Sequence, residues 1–185
     1  MMGSDLPVDK RLLIIGGSGR NVGKTTLILM LLKKYQGIPI LGLKVSAHRK
    51  EEEMYHGTHI YNPAINYTIF EENCIQPWKD TARMVQGGAQ KAFYIEAADH
   101  QIIEAYNEFK LHHNPENFPV ICESRSLRKH VIPAVNLLLV KTQEKLSAAD
   151  FEQADHVIYY DKGIAELSHI VDRITLSETG WEYVD

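Results

Sequence analysis

Gly23, Lys24, Thr25 and Thr26 follow Gly17 across the run Ser18-Gly19-Arg20-Asn21-Val22. Residues of these types, in this order, can hold phosphate. Glycines let the backbone take left-handed angles and approach an anion closely. Successive N–H groups then turn inward as a nest. A helix beginning at the lysine adds the positive end of its dipole. Lys24 would reach the outer phosphates, and the Thr25 hydroxyl would join a magnesium ion. In the strict pattern, G-x-x-x-x-G-K-[ST], a glycine would occupy position 18. Here Ser18 stands there and the glycine comes one residue earlier, at Gly17, a G-x5-G-K-T spacing. A dinucleotide fingerprint, G-x-G-x-x-G, fits only Gly17 and Gly19, because Val22 occupies its third position and Lys24-Thr25 has no role in it. The expected ligand is therefore ATP or GTP with Mg2+, cradled by Gly17, Ser18, Gly19, Arg20, Asn21, Val22, Gly23, Lys24, Thr25 and Thr26.

A magnesium ion on a nucleotide calls for a carboxylate at the end of an adjacent strand. Three predicted strands end in acids, Glu96, Glu123 and Asp161. Glu123 is preferred because the strand before it, FPVIC, is apolar and ligands gather at the carboxyl edge of a parallel sheet. Thr25 and Glu123 are thus the expected metal residues. Lys44 stands inside the apolar run ILGLKV. A lysine there either meets an anion, as a second cation for phosphate or substrate, or reaches out to solvent from an edge strand. Lys24, Glu123 and Lys44 are the candidate catalytic residues. His48, His56 and His59 could gather a metal, but neither Cys-x-x-Cys nor His-Glu-x-x-His accompanies them.

These groups need a scaffold. Arg11–Gly16 reads as a buried strand, Thr25–Tyr35 as a helix with cationic last turn Lys33-Lys34, and Ile38–Val45 as a second strand. Strand, helix and strand in so few residues make a βαβ unit. The stretch 46–78 is polar, holds one strand at Tyr67–Phe70, and reads as a long excursion beside the nucleotide. Helices are then expected at Asp80–Val85, Ala98–Leu111, Ala148–Gln153 and Ile164–Ile174, and strands at Lys91–Glu96, Pro119–Cys122, Ala134–Val140 and His156–Tyr160. The tail from Thr175 to Asp185 would add an edge strand. The expectation is one α/β domain over residues 1–185, a three-layer P-loop nucleoside triphosphatase fold with a mostly parallel central sheet of six or seven strands and helices on both faces.

Composition agrees with this class. The chain has 185 residues, 44% hydrophobic and 24% charged, with a net charge of −4. That balance favours neither nucleic acid nor a membrane as partner. Two cysteines, Cys74 and Cys122, make no disulfide framework and point to a reducing compartment, the cytoplasm.

The phosphate loop, the segment LKVSAH around Lys44, the stretch DTARMVQGGA from Asp80 to Ala89, and Glu123 together resemble the family of molybdopterin-guanine dinucleotide biosynthesis protein B. The resemblance runs from Leu12 to Glu123. It implies a small GTP-binding protein of molybdenum cofactor maturation, a slow nucleoside triphosphatase working with a cofactor-biosynthesis enzyme, and it adds Asp80 to the cofactor-binding residues. A homodimer is the default for small proteins of this kind. The chain departs from that family at Ser124, where a glycine usually follows the glutamate. The loop spacing and Lys44 are also similar to dethiobiotin synthetases, which implies an ATP-dependent ligase or kinase on a small carboxylate or carbamate, with Lys44 at the carbamate. Metallochaperone GTPases are a third relative, but their cysteine motif is missing.

Overall fold

The computed structural model describes residues 6–47, 67–73, 78–141, 148, 154–160 and 164–184. Its centre is a seven-stranded sheet built from β1 (Val8–Gly17), β2 (Leu41–Ala47), β3 (Tyr67–Glu71), β4 (Lys91–Ala97), β5 (Val120–Glu123), β6 (Ile132–Val140) and β7 (His156–Tyr159), in the order β3-β4-β2-β5-β1-β6-β7. Every pairing is parallel except that of edge strand β3 with β4. The inner strands β1, β5 and β6 carry unbroken apolar runs because both faces of the sheet are covered.

Among the described residues four helices cover it: α1 (Lys24–Lys34), α2 (Asp80–Gln86), α3 (Ile102–Glu108) and α4 (Ile164–Arg173). One core lies between the sheet and α1, α2 and α4, where Leu13, Ile15 and Leu137 meet Leu27, Leu31, Met84 and Leu167. The second lies under α3, where Leu12, Ile14 and Phe93 meet Ile102, Tyr106 and Phe109. Alternate residues of β1 serve opposite cores, as the pleat requires. The α/β architecture with helices on both faces is as expected from the sequence.

Several boundaries differ. β2 begins at Leu41 rather than Ile38: Pro39 has no N–H for a ladder, Ile38 is exposed, and the first pairing comes from Leu41 N to Pro119 O at 2.9 Å. The expected helix Ala98–Leu111 is three pieces, a 3-10 turn at Asp99–Gln101, then α3, then a π turn at Phe109–His113. Ser46 belongs to β2 and not to the excursion, and β3 fills Tyr67–Glu71. The rest of the excursion, residues 48–66 and 74–77, lies outside the described residues, as do Cys74, Asp161, His48, His56, His59 and almost all of Ala148–Gln153. The tail is not an edge strand of the main sheet. It forms a separate antiparallel hairpin, β8 (Ile174–Ser177) with β9 (Gly180–Tyr183), because Trp181 is drawn into the core and its indole donates to Arg11 O at 3.0 Å. No described helix is long and apolar enough to cross a membrane.

Candidate functional site

β1 ends on the loop that the sequence singled out. Ser18 N donates to Leu139 O at 2.9 Å, tying the loop to the end of β6. Asn21 (φ 59°) and Gly23 (φ 90°) are left-handed, and the Gly23 carbonyl accepts the first bond of α1 from Leu27 N at 2.9 Å. The displaced glycine also has a physical reason. A Cβ at Gly17 would lie 2.5 Å from Val22 Cγ2 and 2.9 Å from Lys24 Cδ, so the loop folds over that position.

Lys24 opens α1 and turns back into the loop, donating to Gly19 O at 2.8 Å. Its ammonium lies 3.8 Å from Glu123 Oε1. Glu123 ends β5 and pairs in register with Ile15 of β1 on one side and Lys44 of β2 on the other. Topology therefore sets three strand ends side by side under the start of α1. Asp80, the first residue of α2, bridges two of the other groups. Its Oδ1 accepts from the Thr25 hydroxyl at 3.2 Å, and its Oδ2 pairs with Lys44 at 2.5 Å.

The charges are unequally compensated. Burial pushes Lys24 below its ordinary pKa, with Glu123 opposing and Lys44 adding to the shift. Burial likewise raises Glu123, while Lys44 opposes and Asp80 reinforces the shift. Lys44 and Asp80 are better matched. Burial disfavours each charge, but their mutual hydrogen bond helps outweigh it, so Lys44 sits above and Asp80 below the ordinary value. Glu123 is 9% exposed, and its Oε2 is buried with no hydrogen-bond partner. Orphaned buried acceptors are uncommon and often mark a functional site.

The donor set fits a hard cation. The Glu123 carboxylate and the Thr25 hydroxyl are oxygen ligands of the kind Mg2+ takes, few enough that phosphate and water oxygens must complete its shell. Among the described residues no three His, Cys, Asp or Glu gather, so a self-sufficient cage of such side chains is not formed there.

Of the expected site residues, Gly17 through Thr26, Glu123, Lys44 and Asp80 all come to this end of the sheet. Glu96 lies at the same carboxyl edge but away from Lys24, since β4 is separated from β1 by β2 and β5. Lys44 is not reaching to solvent from an edge, because β2 lies between β4 and β5. Two neighbours escaped the sequence reading. Arg125, just past Glu123, places its guanidinium 3.5 Å from Ser18 O and contributes to the field on Lys24. Its position two residues beyond a strand-end acid was the available signal. Tyr160 packs against Gly23, where a Cβ would come within 2.7 Å of its ring, and nothing local in the sequence announces that contact.

Comparison with known proteins returned nothing: no family model, no curated protein and no solved structure matches the chain.

Proposed function

We propose that the chain is a P-loop protein that binds a nucleoside triphosphate, ATP or GTP, with magnesium at the N-terminus of α1. One observation carries this reading: the Lys24 ammonium and the buried Glu123 carboxylate face each other at 3.8 Å beside the Thr25 hydroxyl. Burial leaves Lys24 short of compensating negative charge, and a polyphosphate would supply it. In this reading the loop N–H groups and the α1 dipole hold the phosphates, and Lys24 leaves Gly19 O for the outer ones. Thr25 and Glu123 would hold the metal, and Asp80 accepts a hydrogen bond from the Thr25 hydroxyl, which leaves that oxygen's lone pairs for a cation. The metal supplies neutralisation of charge on the phosphoryl oxygens.

The finer assignment is a slow nucleoside triphosphatase acting as accessory protein in molybdenum cofactor maturation, as a cytoplasmic homodimer with a partner enzyme. It rests on the resemblance of the Lys44, Asp80–Ala89 and Glu123 segments. The Lys44–Asp80 pair favours it over the ligase reading. A small anionic substrate at Lys44 would compete with a carboxylate 2.5 Å away. Turnover should therefore not respond to small amines, carboxylates or bicarbonate. A strong stimulation that Lys44→Ala removes would replace the accessory reading with the ligase.

The main test is calorimetry with Mg-ATP and Mg-GTP. Lys24→Ala should weaken binding by about 2–4 kcal/mol, roughly 30- to 1000-fold. Unchanged affinity for both nucleotides would overturn the P-loop reading.

A further inference from the structure

A second polar cleft lies behind the phosphate loop, on the other face of the sheet. The pleat places it there. Leu13, Ile15, Leu137 and Leu139 pack toward α1, so Gly16, Asn136 and Leu138 face the α3 side. The cleft has a cavity volume of about 30 Å3, room for one small ion, and lies between these residues and the turn after β5. Gly16 leaves room there, since a Cβ would come within 3.2 Å of Ser124 O and 3.5 Å of Leu138 Cδ1.

The charged residues that line it are both cationic. Arg125 and Arg128 both border it. Arg128 Nε is buried and has no hydrogen-bond partner, although a guanidinium has five N–H donors and no way to shed its charge. The Ser124 hydroxyl accepts from Leu127 N at 3.1 Å and Ser126 N at 3.2 Å, which shapes the turn that carries both arginines. The nearby carboxylate of Asp155 is occupied, accepting from Asn136 N at 2.8 Å. A buried unpaired guanidinium donor is costly, and planar oxyanions match its fork.

The geometry points to an anion site here: the cleft takes one small oxyanion, a carboxylate or an inorganic phosphate, with Arg128 as the principal donor and Arg125 beside it. The site is too narrow for a nucleotide and is separate from the phosphate loop. Arg125 touches both, through its contact to Ser18 O.

The test is a titration of 15N-labelled full-length protein with inorganic phosphate and, separately, with acetate. The Gly16 and Leu138 amides and the Arg128 Nε–H signal are followed, with chloride at matched ionic strength as control. These signals should shift along one saturable curve. Half-saturation, read on Gly16 and Leu138, should rise at least tenfold in Arg128→Gln and also in Arg128→Lys, which keeps the charge but lacks Nε. The curve should be unchanged in Lys24→Ala. Saturation by phosphate alone, or by both probes, supports the site and names its preference. A linear response equal to that of chloride overturns it. So does loss of the curve in Lys24→Ala, which would assign the shifts to the phosphate loop, and so does wild-type affinity in Arg128→Lys.

Discussion

The two ends of β1 are built on opposite principles. At its start, polar groups are paired. Asp9 accepts from Arg11 N at 2.8 Å, from the Tyr106 hydroxyl at 2.8 Å and from Lys110 at 3.0 Å. The Arg11 guanidinium donates to Glu178 O at 2.6 Å, and the Arg11 carbonyl accepts from Trp181. At its finish, Glu123 Oε2 and Ser18 Oγ are buried without partners, and Lys24 and Glu123 are both held in disfavoured charge states. The first end closes the molecule. The second concentrates unpaired charge where a ligand can complete it, at a cost in stability.

Changes at the starting end should unfold the protein without touching ligand binding, and changes at the finishing end should do the reverse. The largest effect is expected at Gly180. Its φ is 136°, and a Cβ there would lie 1.9 Å from Lys10 O, so the hairpin cannot stay docked with a side chain at that position. Gly180→Ala should cost about 2–4 kcal/mol in denaturant unfolding. A loss under 1 kcal/mol would show that the hairpin contributes little to closing this end.

Glu123→Gln should move the other way. A raised carboxyl pKa means the folded state prefers the neutral form. Stability therefore falls as pH rises from the ordinary value of 4.5 through the raised one. Removing that charge should raise the thermal midpoint at pH 7 and leave it unchanged at pH 4, while magnesium-dependent turnover falls at least tenfold. A variant that is destabilised at pH 7 would place Glu123 among the structural groups, and wild-type turnover at limiting magnesium would move the metal role to another acid.

The smallest effect belongs to Tyr106→Phe. It removes one of three bonds to Asp9 and should cost about 1 kcal/mol, with nucleotide affinity unchanged. An altered affinity would mean that the two ends communicate along β1.

The sequence showed much of this from local patterns. Unbroken apolar runs marked the inner strands, since residues buried on both faces need no alternation. Gly-Lys-Thr after a strand marked the loop, because a turn through left-handed residues into a helix start is built from contiguous residues. Short-range chemistry of that kind is written in adjacent residues. The excursion was less legible: Tyr67–Glu71 has strand composition, but its antiparallel partner β4 lies more than twenty residues on.

What the chain alone determined, then, is most of the described elements and the loop, because hydrophobic period, glycine placement and a lysine at a helix start act within a few residues. It did not determine which of three strand-end acids would face Lys24. That followed from strand order, since β5 inserts between β1 and β2 and so brings Glu123 beside Ile15 and Lys44, while β4 carries Glu96 away. Nor could it decide whether Lys44 was a free cation. Only the folding of α2 onto the end of β2 gave that ammonium the Asp80 carboxylate, thirty-six residues distant, and joined both to Thr25. Side-chain chemistry can be read along the chain, but electrostatic partnership depends on distance in space, which tertiary packing alone sets.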